Sequence, residues 1–394
     1  MREVSPLFPA SRARVQSLPA SQIREVANAA MGRADVLAFW FGESDQPTPE
    51  FIRRAAMASL EQGETFYTPN LGQPGLRQAI ATYLTGLHGK SFTVERIGVT
   101  GSGVNALMLA NQLLVEPGDR VVAVTPLWPN IVEIPRILGG EVIRVPLGVD
   151  GGRWRLDLDR LLAALTPDTR LLLLNSPSNP TGWTIDAGDQ RVVLDHCRRH
   201  GIWILADDVY ERLVYREGLA SAPSFLAMGE AGDRIIGVNS FSKAWSMTGW
   251  RAGWLVVPPS LLADLAKLIE FNTSCVPDFV QRAATVAITQ GDGYITALRA
   301  DLAAKRELVV GALKSLPEID LPEADGAMYA FFRVAGQTDS VALAKRLVAE
   351  AGLGLAPGRA FGPEGEGWLR WCYAADSARL REGVARLARA LGHG

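Results

Sequence analysis

Several kinds of chemistry lack their residues in this chain. Its three cysteines, Cys197, Cys275 and Cys372, are far apart and make no CxxC pair, which excludes dithiol redox chemistry and a cysteine-based zinc module and points to a reducing compartment. Of the four histidines only His196 and His200 lie close together. They sit in DHCRRHG, the basic end of a helix where cationic side chains complement the helix dipole, so no metal site is expected. A Ser-His-Asp triad lacks a G-x-S-x-G turn to carry it. No apolar run reaches the roughly 18 residues of a membrane span, and MREVSPLFPASRARVQ has no continuous apolar stretch like that of a secretory signal. A cytoplasmic protein without a membrane partner is therefore expected. A net charge of -2 with 21 % charged residues gives no basic excess for nucleic acid.

Lysine is scarce as well. Lys90, Lys243, Lys267, Lys305, Lys314 and Lys345 are the only six among 40 basic residues. One of them, Lys243, stands in SFSKAWSMTGWRAGW among serines, aromatics and glycines. Arginine would serve a surface role there equally well. It could not lose a proton near neutral pH and attack a carbonyl, because its pKa stays above about 12.

At 394 residues, 48 % of them hydrophobic, the chain can bury a substantial core in two units. Short apolar, β-branched runs recur at 97–100, 120–124, 141–145, 171–174, 202–206, 234–238 and 252–257, separated by loops and helix-like segments. That rhythm predicts an α/β fold with a mostly parallel sheet of seven strands. After Pro258 the sequence turns to long alanine- and leucine-rich helices. It then continues through AMYAFFRV, SVALAKRLVAEAG, WLRWCYA and a last helix with Leu380, Val384, Leu387 and Leu391 on one face. A smaller α/β C-terminal domain is expected there. The predicted division is an N-terminal arm and part of the small domain at 1–45, a large domain at 46–292 and a small domain at 293–394.

In a parallel sheet, ligands gather beyond the carboxyl ends of the strands. The segments that follow the runs are GSGVNAL, TPLWPN, NSPSNPTG, DDVY and NSFSK. Gly101-Ser102-Gly103 can present N–H groups to a phosphate at a helix start, or can be an ordinary tight turn. It lacks the further residues of a nucleotide triphosphate loop or a dinucleotide fold. Asp207 follows the apolar IWILA, where a carboxylate is costly unless paired with a cation; it suits a helix cap or a structural salt bridge as well as a protonated ring nitrogen. Trp128 offers a flat face to a ring or simply packs. Asn179 in SNPTG suits a turn as well as a ligand. Their arrival at successive strand ends is poorly explained by five independent accidents.

Together with FYTPNLGQPGLRQAI, TGWRAGW and LRWCYA, these segments resemble, in order and from about residue 36 onward, the class I/II aminotransferases. These are fold-type-I pyridoxal-phosphate enzymes related to aspartate aminotransferase. The resemblance implies pyridoxal 5'-phosphate as cofactor and Lys243 as its Schiff-base lysine. It implies Asp207 as partner of the pyridine nitrogen, Tyr210 and Asn179 at the ring hydroxyl, and Trp128 stacked on the ring. Ser102, Gly103, Ser240, Ser242 and Arg251 match the phosphate cup. Val104 stands where many relatives place a hydroxyl or charged side chain, so it offers only its N–H. Tyr67 resembles a tyrosine that reaches the phosphate of the other subunit of a homodimer. Arg370 resembles the arginine that forks onto the substrate α-carboxylate, with Gly42 as a backbone contact and Asn179 helping to orient substrate. Gly249 and Gly253 are expected to let the chain turn closely beneath the cofactor.

The reaction so implied moves the amino group of an L-amino acid to a 2-oxo acid. An elimination enzyme such as a β-C–S lyase shares the same constellation, and a ligand-sensing domain of a transcription regulator shares the fold. Trp40, Phe41, Arg359 and Phe361 are the residues expected near the substrate side chain, with Arg359 either a contact for a dicarboxylate or, equally well, a surface arginine in its APGRAFG loop.

Overall fold

The computed structural model describes residues 11–393, so the first ten residues of the expected N-terminal arm lie outside the described residues. Seven strands form the main sheet: β1 (Ile97–Thr100), β2 (Arg120–Thr125), β3 (Glu141–Pro146), β4 (Thr169–Asn175), β5 (Trp203–Asp207), β6 (Ile235–Ser240) and β7 (Gly253–Val256). Their order is β1-β7-β6-β5-β4-β2-β3, and β7 alone runs antiparallel to its neighbours. Every run read from the sequence is a strand, with ends displaced by no more than two residues.

Burial on both faces explains why these runs are continuously apolar rather than alternating. Val121, Ala123, Leu171, Leu173, Leu205, Ile236 and Leu255 point into one core. Their neighbours Val122, Val124, Leu172, Leu174, Ile204, Ala206 and Trp254 point into the other. The period-2 geometry of a strand splits one apolar run between two helical layers.

A second sheet follows, built from β8 (Ile319–Asp320), β9 (Tyr329–Val334), β10 (Ala356–Pro357) and β11 (Trp368–Cys372), antiparallel in the order β8-β9-β11-β10. The last helix, Ser377–Ala390, buries Leu380 and Leu387 completely, with Val384 and Leu391 at the margin. Residues from the N-terminal side join this unit. Leu37–Ala38 pairs in parallel with Leu353–Gly354, and the helix Gln22–Ala29, capped by Ser21, turns Ile23 and Val26 inward.

Where β7 meets the turn after β1, space is very tight. A Cβ on Gly253 would lie 2.7 Å from the Asn239 carbonyl and 2.8 Å from the Gly103 nitrogen, both backbone atoms that cannot swing aside. Gly249 differs, because a Cβ there would meet nothing within 4 Å. Only one of the two glycines is thus required by close approach. Gly253→Ala is expected to cost about 1–3 kcal/mol through overpacking, seen as a lower thermal midpoint, whereas Gly249→Ala should leave the midpoint in place. Equal midpoints for the two variants would contradict this reading of the contact.

Candidate active site

Beyond the carboxyl edge of the main sheet lies a cavity of about 630 Å³. It is lined by Gly42, Gly103, Val104, Trp128, Asn179, Asp207, Tyr210, Ser240, Ser242, Lys243, Arg251 and Arg370, so twelve positions singled out in the sequence meet at one place. The topology explains why. Strands β1, β2, β4, β5 and β6 each end at this edge, and the reversed β7 begins there, which brings Arg251 in beside Ser240.

Each group is held by its neighbours. Ser102 caps the helix Gly103–Leu114, its Oγ accepting from the Asn105 N–H at 3.0 Å, and leaves the N–H groups of the first turn facing the cavity side. That bond uses the hydroxyl as acceptor and leaves its O–H free to donate, although Ser102 does not itself line the cavity. Its φ of 149° and the left-handed φ of 54° at Arg251 are conformations that cost non-glycine residues of order 1–3 kcal/mol. Ser240 Oγ and Ser242 Oγ lie 2.9 Å apart, with the Ser242 N–H donating to Ser240 Oγ at 3.1 Å. Asn175, the last residue of β4, accepts the Asn179 N–H at 2.8 Å and donates to the Asp207 carbonyl at 2.9 Å. The Trp128 N–H donates to the Asn179 carbonyl at 3.0 Å, joining two loops that line the wall.

Asp207 and Arg370 are buried, Lys243 is half-buried and Arg251 is exposed, and among the described residues none of the four has an ordinary counter-ion. Asp207 is 3 % exposed, and its carboxylate accepts only the Val209 N–H, at 3.3 Å, among the described residues. Burial pushes its carboxyl up to about 7, Asp208 adds to the rise, and Lys243 and the Val209 N–H oppose it. Lys243 Nζ donates to the Gly42 carbonyl, and burial pulls its ammonium down to about 8. Arg370, on β11, is 2 % exposed; it donates to Asn179 Oδ1 at 2.9 Å and to the Trp40 carbonyl. Its guanidinium lies 4.5 Å from the Tyr329 ring centre and 4.9 Å from that of Phe361.

Besides Ser102, three positions singled out in the sequence lie outside the cavity wall. Tyr67 is 92 % exposed, outside this chain's cavity, next to the equally uncovered Phe66. Arg359 is not in the wall; it lies 3.9 Å from Glu366, because its loop is held at the surface by a bond from its N–H to Ser340 Oγ. Phe361 sits beneath Arg370 rather than lining the cavity. His196 Nε2 is 2.8 Å from the Leu165 carbonyl, and no cluster of three metal-ligating side chains occurs among the described residues. Among the described residues, no helix is long and apolar enough to cross a membrane.

Sequence reasoning missed Tyr329, whose OH lies 2.6 Å from that of Tyr210. An aromatic in a strand reads as core, and nothing local marks it. Ser21, Ile23, Arg24 and Glu43 were missed for the same reason: their segment reaches the wall only through tertiary packing.

A seven-stranded sheet with this cavity defines an α/β transferase fold. The chain matches the family described as "Aminotransferase class I and II" over residues 34–387, belongs to that family and is an aminotransferase. It is 32 % identical to "Aspartate aminotransferase" of Pyrococcus horikoshii over 99 % of each chain. It is 30 % identical to "Aromatic-amino-acid aminotransferase 2" of Thermococcus litoralis, over 96 % of this chain and 97 % of that one. Among solved structures, a mutant of the Thermus thermophilus aspartate aminotransferase superposes with a TM-score of 0.89 at 31 % identity, covering 97 % and 100 % of the two chains. The family is dependent on pyridoxal 5'-phosphate.

The residues present fit that group. A buried carboxylate without a cation suits a protonated ring nitrogen, free first-turn N–H groups beside two hydroxyls and Arg251 suit a phosphate, and an easily deprotonated amine suits an aldehyde. In protein stripped of cofactor, the rate of aldehyde capture by Lys243 should rise with pH and level off above about 8, since only the neutral amine attacks. A stopped-flow rate that keeps rising to the ordinary lysine range near about 10.4 would contradict it.

Proposed function

We propose that this aminotransferase binds pyridoxal 5'-phosphate through Lys243 and moves the amino group of an L-amino acid to a 2-oxo acid in two half-reactions. The observation that carries the reading is the meeting of a low-pKa Lys243, an unpaired Asp207 and a buried Arg370 around one cavity. When bound, the cofactor supplies an electron sink for the substrate Cα–H bond. Asp207 holds the proton at its ring nitrogen, while Tyr210 and Asn179 serve the ring hydroxyl and Trp128 covers one face. Gly103, Val104, Ser240, Ser242 and Arg251 hold the phosphate, with Ser102 shaping the turn. Lys243 Nζ takes the proton from the substrate Cα as general base and later returns one as acid. Arg370 forks onto the α-carboxylate, its guanidinium already aimed by Asn179 and Trp40, which converts binding into orientation.

The working unit in this proposal is a cytoplasmic homodimer. Tyr67, with Phe66 at 83 % and Phe271 at 89 % exposure, supplies an apolar surface that a second copy covers, delivering Tyr67 to the partner's phosphate. Residues 46–292 form the cofactor-binding domain, and 293–394, completed by the N-terminal arm within 1–45, form the small one. Aminotransferase relatives matched along nearly the whole chain favour this reading over an elimination enzyme or a sensing domain.

Purified protein incubated with pyridoxal phosphate should gain visible absorbance that borohydride fixes onto Lys243. A panel of amino donors with 2-oxoglutarate and pyruvate should then reveal turnover. Lys243→Arg should keep the fold, by circular dichroism, and lose transamination. Normal turnover by that variant, or keto-acid release from cystathionine with no acceptor present, would overturn the proposal.

A further inference from the structure

Tyr329 lines the cavity, and the reading above gives it no part. It opens β9, opposite Cys372 on β11, and is 1 % exposed. Its hydroxyl lies 2.6 Å from that of Tyr210, and the two rings meet edge to face with centres 5.7 Å apart. Among the described residues neither hydroxyl bonds to any other group. Asp207 and Lys243 face the pair from the main-sheet side, and Arg370 and Cys372 face it from β11.

Counting hydrogens fixes the direction of that contact. A phenol carries one O–H to donate and two lone pairs that accept. Burial holds both phenols above the ordinary tyrosine range, so each keeps its single hydrogen. Once Tyr210 gives its hydrogen to the oxygen of the cofactor's ring hydroxyl, it has none left for Tyr329. The 2.6 Å contact then survives only with Tyr329 as donor. A hydroxyl that accepts one bond is polarised by it and donates the next more strongly.

The place of this phenol is fixed by the rest of the site. Its ring centre is 4.5 Å from the Arg370 guanidinium. A Cβ on Gly42, whose carbonyl accepts from Lys243 Nζ, would overlap the Tyr329 hydroxyl oxygen, so the phenol fills the space a side chain would need there. We propose that Tyr329 is a positioning residue for the cofactor: its O–H donates to Tyr210, which directs the hydrogen of Tyr210 to the ring hydroxyl and strengthens that bond. The inference rests on the aminotransferase reading, in which Tyr210 serves that hydroxyl. Tyr329 acts through Tyr210 and moves no proton of the substrate.

The test follows the visible absorbance of the pyridoxal-phosphate-loaded full chain through a pH titration, without substrate. Negative charge on the ring oxygen favours a proton on the lysine-bound nitrogen, and a bond donated to that oxygen draws the charge away. The midpoint of the absorbance change therefore falls as the donation strengthens. Tyr329→Phe keeps the ring against Arg370 and removes only the donor. Its midpoint should lie about 0.3–1 pH unit above that of the wild type, the share of one buried hydrogen bond that its polarising partner supplies. Tyr210→Phe should raise the midpoint further. Adding Tyr329→Phe to Tyr210→Phe should then leave it in place, because the relay has lost its middle member. A wild-type midpoint in Tyr329→Phe would overturn the proposal. So would an equal shift with and without the Tyr210 hydroxyl, the result expected if Tyr329 merely packs, and either outcome leaves transamination standing. A chain that gains no visible absorbance with pyridoxal phosphate would instead overturn the underlying reading, and this inference with it.

Discussion

Two buried charges of opposite sign, neither with a counter-ion among the described residues, set the terms for the rest of the molecule. Asp207 is offered one backbone N–H, and Arg370 is offered two neutral oxygens and two aromatic faces. Uncompensated charges in a low-dielectric interior cost several kcal/mol each. A fold that keeps both must recover that cost from a ligand that brings a cation to one and an anion to the other. The partial neutralisation of Asp207, pushed up to about 7, is the response of the protein alone to that debt of solvation.

Holding such groups in place requires a rigid frame, and the seven-stranded sheet supplies it. Asp207 ends a strand buried on both sides, paired with Asn175 and Val238 in register. The reversal of β7 has a specific consequence. It feeds Arg251 into the cavity edge from the opposite direction and presses Gly253 against the turn that precedes the helix Gly103–Leu114. The same turn contains Ser102 at a φ of 149°, so two strained residues, Ser102 and Arg251, flank one contact too tight for a side chain. Strain of this kind persists only where surrounding structure over-determines it, and here the surrounding structure is the sheet itself.

Much of this frame was legible from sequence because its signal is local. A run such as LLLLN is ambiguous by composition, but its short length and its place in a series of similar runs separated by turn signals identify it as a strand. The residues just past each run were legible for the same reason: in a parallel sheet they share one edge. What escaped was the opposite wall. Tyr329, Arg24 and Glu43 come from elements whose own patterns describe core or surface; the pairing of Leu37–Ala38 with Leu353–Gly354 and the bonds of Gly42 and Glu43 to Lys243 and Thr248 bring the N-terminal segment to the cavity, and Tyr329 arrives on β9. Arg370 was reached through family resemblance, since a guanidinium in the strand WLRWC has no local mark of function. Arg359 was open to two readings from sequence, a dicarboxylate contact or a surface arginine, and it stands at the surface beside Glu366 and Ser340.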